Sequence, residues 1–430
     1  MFVMDSLIRR CSRTIPGEVR VAAMSEGIDP ERMARGIEAG RIVIPHNPKR
    51  KHAPCAIGEG CRVKVNVNVG TSGPLCDTAL EVRKAKAALE NGADSIMDLS
   101  TGGDLARIRR KILALGTTVG TVPVYEAVRR AGNASDVDAD LLFRVIREHC
   151  RQGVDFLTLH CGVNLQALAA LKADPRIMGV VSRGGAFHCA MMVQREEENP
   201  LFAEFDYLLE ILAENDVTVS LGDGMRPGCL QDADKLAKSV EYVTLGTLAK
   251  RAHTSDIQRM IEGPGHMPLD QVGYNVEIIK EITNAAPLYL LGPIVTDIAP
   301  GYDHIITAIG GATACMHGAD FLCMVSPSEH LALPLENDII EGIRIAKIAA
   351  HIGDIVRRPE GCRDEREVAM AHAREDLDWE KQFQLALYGD VARRIHARDG
   401  ELDTCSMCGD LCAIKVVKEI FEGKEKKRKK

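Results

Sequence analysis

VKVNVNVG, residues 63–70, alternates valines with lysine and asparagine and then stops on a glycine. Alternation of period two marks a strand. TALEVRKAKAALEN (78–91) follows with helical spacing, Asp77 or Thr78 placed to cap it and Gly92 to end it. The same couplet of short apolar run, polar or glycine-rich stop and helical stretch recurs along the chain. Its strands are SIMDLS (95–100), TVGTVPVY (118–125), FLTLHCG (156–162), MGVVSRGG (178–185), VTVSLGDG (217–224), QRMIEGPGH (258–266) and ADFLCMVSP (319–327). Eight such units predict an α/β fold, a (β/α)8 TIM barrel over residues 64–335. PLYLLGPIVTDIAPG (287–301) is a further apolar run. We read it as a long loop, because prolines stand at both ends and Gly292-Pro293 interrupts it.

Outward from the barrel, residues 1–63 alternate helical patterns with loops and read as an N-terminal cap. After Pro334 the apolar period becomes helical through GIRIAKIAAHIGDIV and REVAMAHAREDLDWEKQFQLAL, a C-terminal helical layer over 336–400. Residues 401–430 form a cysteine-rich segment ending in the basic run KEKKRKK, a solvated chain end. Hydrophobic residues make up 46% and charged residues 27%, enough to bury a real core. The net charge of −7 is spread along the chain, which argues against nucleic acid or a membrane as partner. MFVMDSLIRRCSR at the start lacks the apolar core of a signal peptide, so a cytoplasmic protein is expected. The 14 cysteines include Cys161, Cys189 and Cys323, which sit singly in apolar segments and read as reduced thiols.

In a TIM barrel the carboxyl ends of the strands line the active site. Here those ends carry Asn68, Asp98, Tyr125, His160, Ser182-Arg183-Gly184, Asp223 with Arg226, and Glu262 with His266. Any one of them could be an ordinary loop cap, but seven strand ends of this kind can converge only at one mouth. Ser182-Arg183-Gly184-Gly185 and Asp223-Gly224-Met225-Arg226 join backbone N–H groups to guanidinium forks, which suits a phosphate or another anion. His266 and His330 end the last two strands and could hold a divalent metal as neutral imidazoles; spacing alone leaves an ordinary structural role equally open.

CSMCGDLC, with Cys405, Cys408 and Cys412, places three soft ligands on one tight loop. That donor set fits an iron–sulfur cluster with one iron left open. The alternative is a structural zinc knuckle, which needs a fourth ligand; none follows, and the nearest upstream candidate is His396.

These motifs are long and collinear. From RIVIP and NVNVGTS through MDLSTGGD, GTVPVYEA, VSRGGA, SLGDGMRPG, EGPGH, LGPIVTDIAPGYDHI and EHLALP to CSMCG, the chain resembles the thiamin pyrimidine synthase (phosphomethylpyrimidine synthase) superfamily of radical S-adenosylmethionine enzymes. The resemblance implies a lyase acting on 5-aminoimidazole ribonucleotide, with a [4Fe-4S] cluster on Cys405, Cys408 and Cys412 that binds S-adenosylmethionine at its open iron. It implies a divalent metal, zinc or iron, on His266 and His330. Substrate contacts would come from Asn68, Met97, Tyr125, His160, Ser182, Arg183, Gly184, Asp223, Gly224, Met225, Arg226, Glu262 and Tyr289. It further implies a homodimer in which the cluster segment folds over a barrel mouth, and a reducing donor such as flavodoxin or ferredoxin.

Departures from the family pattern bear on the product. Met324 stands where a tyrosine is expected, Met267 follows EGPGH, and Met316-His317 replace small residues. A thioether is a poor hydrogen-bond partner, so these changes would reshape the pocket beside the metal. On that reading the chain is similar to the branch that converts the same ribotide into 5-hydroxybenzimidazole, with release of formate and phosphate, for cobamide (cobalamin) biosynthesis. The alternative is the thiamine-pathway product, 4-amino-5-hydroxymethyl-2-methylpyrimidine phosphate.

Overall fold

The computed structural model describes residues 5–359, 361–400 and 403–428. A two-stranded ribbon comes first, β1 (Ile42–Val43) against β2 (Ile57–Gly58), antiparallel. Eight parallel strands then close a barrel: β3 (Lys64–Val69), β4 (Ser95–Asp98), β5 (Thr118–Thr121), β6 (Phe156–Leu159), β7 (Thr218–Leu221), β8 (Arg259–Glu262), β9 (Leu288–Leu291) and β10 (Phe321–Cys323). They pair in chain order, and β10 returns to β3, with Phe321 opposite Lys64. The (β/α)8 barrel expected from the sequence is present.

One strand of that expectation is misplaced. MGVVSRGG (178–185) forms no strand: Gly179 takes φ +62°, and Ile177 and Met178 are 74% and 52% exposed, whereas a strand of a parallel barrel is buried on both faces. The eighth strand is instead β9, inside the segment read as a loop. Pro287 stands before its first residue and Gly292-Pro293 after its last, so neither proline costs the strand a hydrogen bond. Leu288 and Leu290 are fully buried.

The helix Thr78–Glu90 starts as its sequence suggests: Asp77 Oδ1 accepts from the amides of Ala79 and Leu80, at 2.8 and 3.0 Å. Inside the barrel, Gly120 on β5 makes room for Phe156, whose ring would stand 2.2 Å from an added Cβ. The N-terminal segment binds residues at the amino ends of the strands. Asp155, just before β6, accepts from the Asn47 amide at 2.8 Å and from Arg50 Nη1 at 2.5 Å. Gln258, just before β8, bonds both the amide and the carbonyl of Ile44, and Arg259 donates to Gly40 O at 2.8 Å. Leu7, Val19, Met33, Ile37 and Ile44 form a separate small core in this segment. The barrel floor is thereby closed, and the carboxyl ends of the strands remain as the open mouth.

Two compact units divide the chain, residues 1–357 and 358–430. The helix Glu336–Arg357 falls in the first, packed on the helix Asp303–Met316. The second contains the helices Glu365–Glu375, Trp379–Leu385, Gly389–His396 and Ala413–Arg428. No helix among the described residues is long and apolar enough to cross a membrane.

Candidate active site

A cavity of about 90 Å³ opens at the carboxyl ends of the strands, and nine of the residues singled out above line it: Asn68, Met97, Tyr125, His160, Ser182, Asp223, Arg226, Glu262 and Tyr289. Most stand on a strand or shortly beyond its carboxyl end, so the barrel itself aims them inward, while Ser182 comes from the cap of the helix Arg183–Arg195. A second tier fixes their orientation. Asn66, fully buried, donates from Nδ2 to Asn68 Oδ1 and to the Tyr289 hydroxyl, both at 2.8 Å, and accepts from Ser95 Oγ at 2.7 Å. Asn68 is thus held with its own Nδ2 turned to Cys323 Sγ, at 3.2 Å. Glu262 Oε1 accepts from Thr158 Oγ1 and Ser220 Oγ, at 2.7 and 2.8 Å.

Sequence reading missed Asn66, Thr158, Ser220 and Cys323. Period-two alternation was the available signal for the first two, because Asn66 shares a strand face with Asn68 and Thr158 with His160.

The electrostatics follow from burial. Asp223 pairs with Arg226 at 2.9 Å, yet burial pushes its carboxyl up to about 7, against the pull of the guanidinium. Burial also raises Glu262, in spite of its two hydroxyl donors, and holds His160 well below the ordinary imidazole value. At neutral pH the cavity therefore presents a neutral imidazole, two phenols, the Asp223 carboxyl near its titration point, the raised Glu262 carboxyl and one firm cation, Arg226. Arg183 is exposed and lies over the Tyr125 ring, 5.1 Å from its centre. Two guanidinium groups on neighbouring strand-end loops are what an anionic ligand end requires.

The other three expected substrate residues act differently. Gly184 carries no side chain because the His160 ring occupies the space, 2.1 Å from where a Cβ would stand. Gly224 backs onto Gly185, whose Cβ would meet Gly224 O at 2.4 Å. Met225 is fully buried in a small apolar cluster with Val163, Ala167 and Met192, turned away from the cavity.

Next to the cavity, His266 and His330 line a second opening of about 480 Å³, their ring centres 5.8 Å apart. His266 Nδ1 faces Asp297 Oδ1 at 2.7 Å, and His330 Nδ1 faces Asp303 Oδ1 at 3.2 Å. A carboxylate on Nδ1 of each ring leaves Nε2 as the free donor atom. Neither aspartate was singled out in the sequence. Among the described residues, no group of three or more His, Cys, Asp or Glu side chains is arranged to hold a metal ion.

The four residues read as directing the product are scattered. Met324 borders an opening with Asn68, Arg183 and His330. Met267 is fully buried in the barrel core. Met316 and His317 end the helix that leads into β10, at the amino-end side of the barrel and away from the mouth; Met316 is 47% exposed and His317 Nδ1 pairs with Glu277 at 2.7 Å. The expectation that these two shape the pocket is therefore corrected. A two-residue motif says nothing about which end of a helix faces the ligand.

In the second unit, Cys405, Cys408 and Cys412 lie on one tight turn, with the amides of Cys408 and Gly409 bonding Cys405 O at 3.1 and 3.0 Å. Gly409 takes φ +49°, a conformation glycine adopts without cost. The backbone N–H of Cys408, then its thiol, hold the Cys405 thiol below its ordinary value, and the same contact with Cys405 holds the Cys408 thiol above its own. His396, the nearest candidate for a fourth zinc ligand, packs at a tilt against Trp379 with ring centres 4.1 Å apart.

The chain is similar to known proteins over nearly its whole length. "Phosphomethylpyrimidine synthase 2" of Methanosarcina barkeri is 54% identical over 411 residues, covering 94% of this chain and 96% of its own length. "Phosphomethylpyrimidine synthase" of Methanopyrus kandleri is 50% identical over 428 residues, covering 97% and 99%. Residues 8–419 match the family described as the Radical SAM ThiC family, and on that match and those identities the chain belongs to the radical SAM ThiC family, membership that implies S-adenosylmethionine and a [4Fe-4S] cluster.

Proposed function

We propose that this chain is a phosphomethylpyrimidine synthase, forming 4-amino-5-hydroxymethyl-2-methylpyrimidine phosphate from 5-aminoimidazole ribonucleotide. The observation that carries the reading is end-to-end identity of about half with relatives of that name, joined to a barrel mouth whose cavity suits a phosphorylated, polar heterocycle. Arg226 and Arg183 would take the phosphate. Asn68 and Tyr289, fixed by Asn66, would orient the ring, and Asp223 and Glu262, both raised by burial, would hold or accept a proton on it.

Cys405, Cys408 and Cys412 would hold the [4Fe-4S] cluster, for which their donor set and the lowered Cys405 thiol are suited. Once reduced by a donor such as flavodoxin or ferredoxin, that cluster supplies the electron for cleaving S-adenosylmethionine. His266 and His330 would offer Nε2 to a divalent zinc or iron ion, each ring oriented by its aspartate. Two protein ligands leave the rest of such a coordination shell to substrate or water. The homodimer implied by the resemblance belongs to the same proposal.

The benzimidazole product loses support from the positions of its residues, since only Met324 of the four borders an opening of the mouth. Product analysis separates the two. Reduced enzyme given the ribotide and S-adenosylmethionine is expected to yield the phosphorylated hydroxymethylpyrimidine by chromatography and mass spectrometry. If 5-hydroxybenzimidazole and free phosphate come out instead, the assignment is overturned.

A further inference from the structure

The loop after β7 carries Asp223 and Arg226 into the cavity, and it is gripped from behind by two buried side chains distant in sequence. Glu241, fully buried on the helix Leu236–Thr254, accepts from the Met225 amide through Oε2 at 2.8 Å. Arg176 donates to Met225 O at 2.7 Å and to Arg226 O at 3.3 Å. One residue thus takes the amide side of the loop and the other its carbonyl side. The stem of Glu241 also lies under the loop after β6, since a methyl on Gly162 would stand 2.9 Å from Glu241 Cγ.

Burying two ionisable side chains behind a loop is expensive, and burial holds the Glu241 carboxyl well above its ordinary value; hydrophobic side chains of equal size would hold the two loops apart at lower cost. Glu241 Oε1 and Asp223 Oδ2 both lack a hydrogen-bond partner, so the arrangement is not a fully satisfied structural bolt either. What Glu241 and Arg176 do supply is the position of three consecutive backbone groups beneath the Arg226 side chain.

We propose that Glu241 and Arg176 are positioning residues, a clamp that presents Arg226 to the phosphate end of the ligand. This rests on the functional reading above for the ligand's identity but not for the clamp itself. Neither residue touches the cavity, and each acts through the loop.

Two measurements on the full-length enzyme test it. Equilibrium binding of 5-aminoimidazole ribonucleotide is expected to weaken about tenfold in Glu241→Ala, the scale for leaving the buried Met225 amide without its acceptor. Glu241→Gln, which keeps an acceptor for the Met225 amide, restores most of that loss. Adding Glu241→Ala to Arg226→Ala is expected to weaken binding no further, because the clamp works through Arg226. Hydrogen exchange of the 222–228 peptide supplies the readout that needs no ligand: exchange rises in Glu241→Ala and returns toward the parent rate in Glu241→Gln. Parent-like exchange in Glu241→Ala overturns the clamp. So does equal loss in the alanine and glutamine variants, or a loss that adds fully to that of Arg226→Ala. A parent enzyme that shows the exchange pattern but binds no ribotide would instead sink the functional reading and leave the clamp standing.

Discussion

Replacing Gly184 by alanine tests whether this glycine serves the site through His160 or by touching the ligand itself. An added Cβ would stand 2.1 Å from His160 Cε1 and 2.4 Å from Nδ1, where ordinary contact begins at 3.4 Å. The ring must therefore retreat by about 1.3 Å. It is 3% exposed and Gly222 lies close on another side, so its way out is into the cavity. Overpacking of this kind costs about 1–3 kcal/mol. In a domain this large each kcal/mol lowers the melting temperature by on the order of 2 °C. The expected result for Gly184→Ala is a fall of a few degrees by calorimetry, with ribotide binding weakened about tenfold or more as the displaced ring fills the cavity. Removing the ring should cancel the effect: in a His160→Ala background, Gly184→Ala is expected to change neither the melting temperature nor the residual binding. A parent-like Gly184→Ala protein would refute the steric argument, and an undiminished binding loss without the ring would show that the backbone at Gly184 meets the ligand directly.

Cys405→Ala, Cys408→Ala and Cys412→Ala should each abolish visible cluster absorbance and S-adenosylmethionine cleavage, since two thiolates are too few; cleavage surviving in any one variant counts against the assignment. His266→Ala and His330→Ala should lower bound divalent metal while cluster iron stays constant, and Asp297→Ala should weaken metal affinity by about 10- to 100-fold through loss of ring orientation; metal content equal to the parent by mass spectrometry removes the site. The network around Glu126 gives a pH prediction. His149, buried against Arg109 and bonded to Glu126 at 2.9 Å, is depressed from 6.5 to about 4, chiefly by burial, while Glu126 is lowered to about 2 as its pairing with His149 and Arg109 outweighs burial. A depressed folded value means stability present above the unfolded value and lost as pH falls, so the His149 contribution should disappear between about pH 6.5 and pH 4, and that of Glu126 below about 4.5. Urea midpoints should fall across the upper window in the parent and more shallowly in His149→Gln; parallel curves would refute it.

The barrel was legible in the sequence because each strand is a short run buried on both faces and bounded by glycine, proline or polar residues, a local pattern needing no knowledge of neighbours. Most of the cavity was legible too, since the fold turns strand ends into one mouth and Asn68, His160, Asp223 and Glu262 stand at such ends. The exchange of MGVVSRGG for PLYLL shows the limit of that reading. Apolar composition alone cannot report that Met178 faces solvent, nor that prolines on either side of a four-residue strand leave its ladder intact. Membership of the family also lay in the sequence, as contiguous motifs, and so did the three cysteines proposed to hold the cluster. Only the tertiary structure decided which residues stand behind the ligand contacts. Asn66 behind Asn68 and Tyr289, Asp297 and Asp303 behind the two histidines, and Arg176 and Glu241 behind Arg226 are pairings set by how separate βα units pack, and residue spacing along the chain does not encode them. The same holds for Met316 and His317: whether the end of a helix lies at the mouth or the floor depends on the direction of the strand it feeds, which is fixed only when the barrel closes.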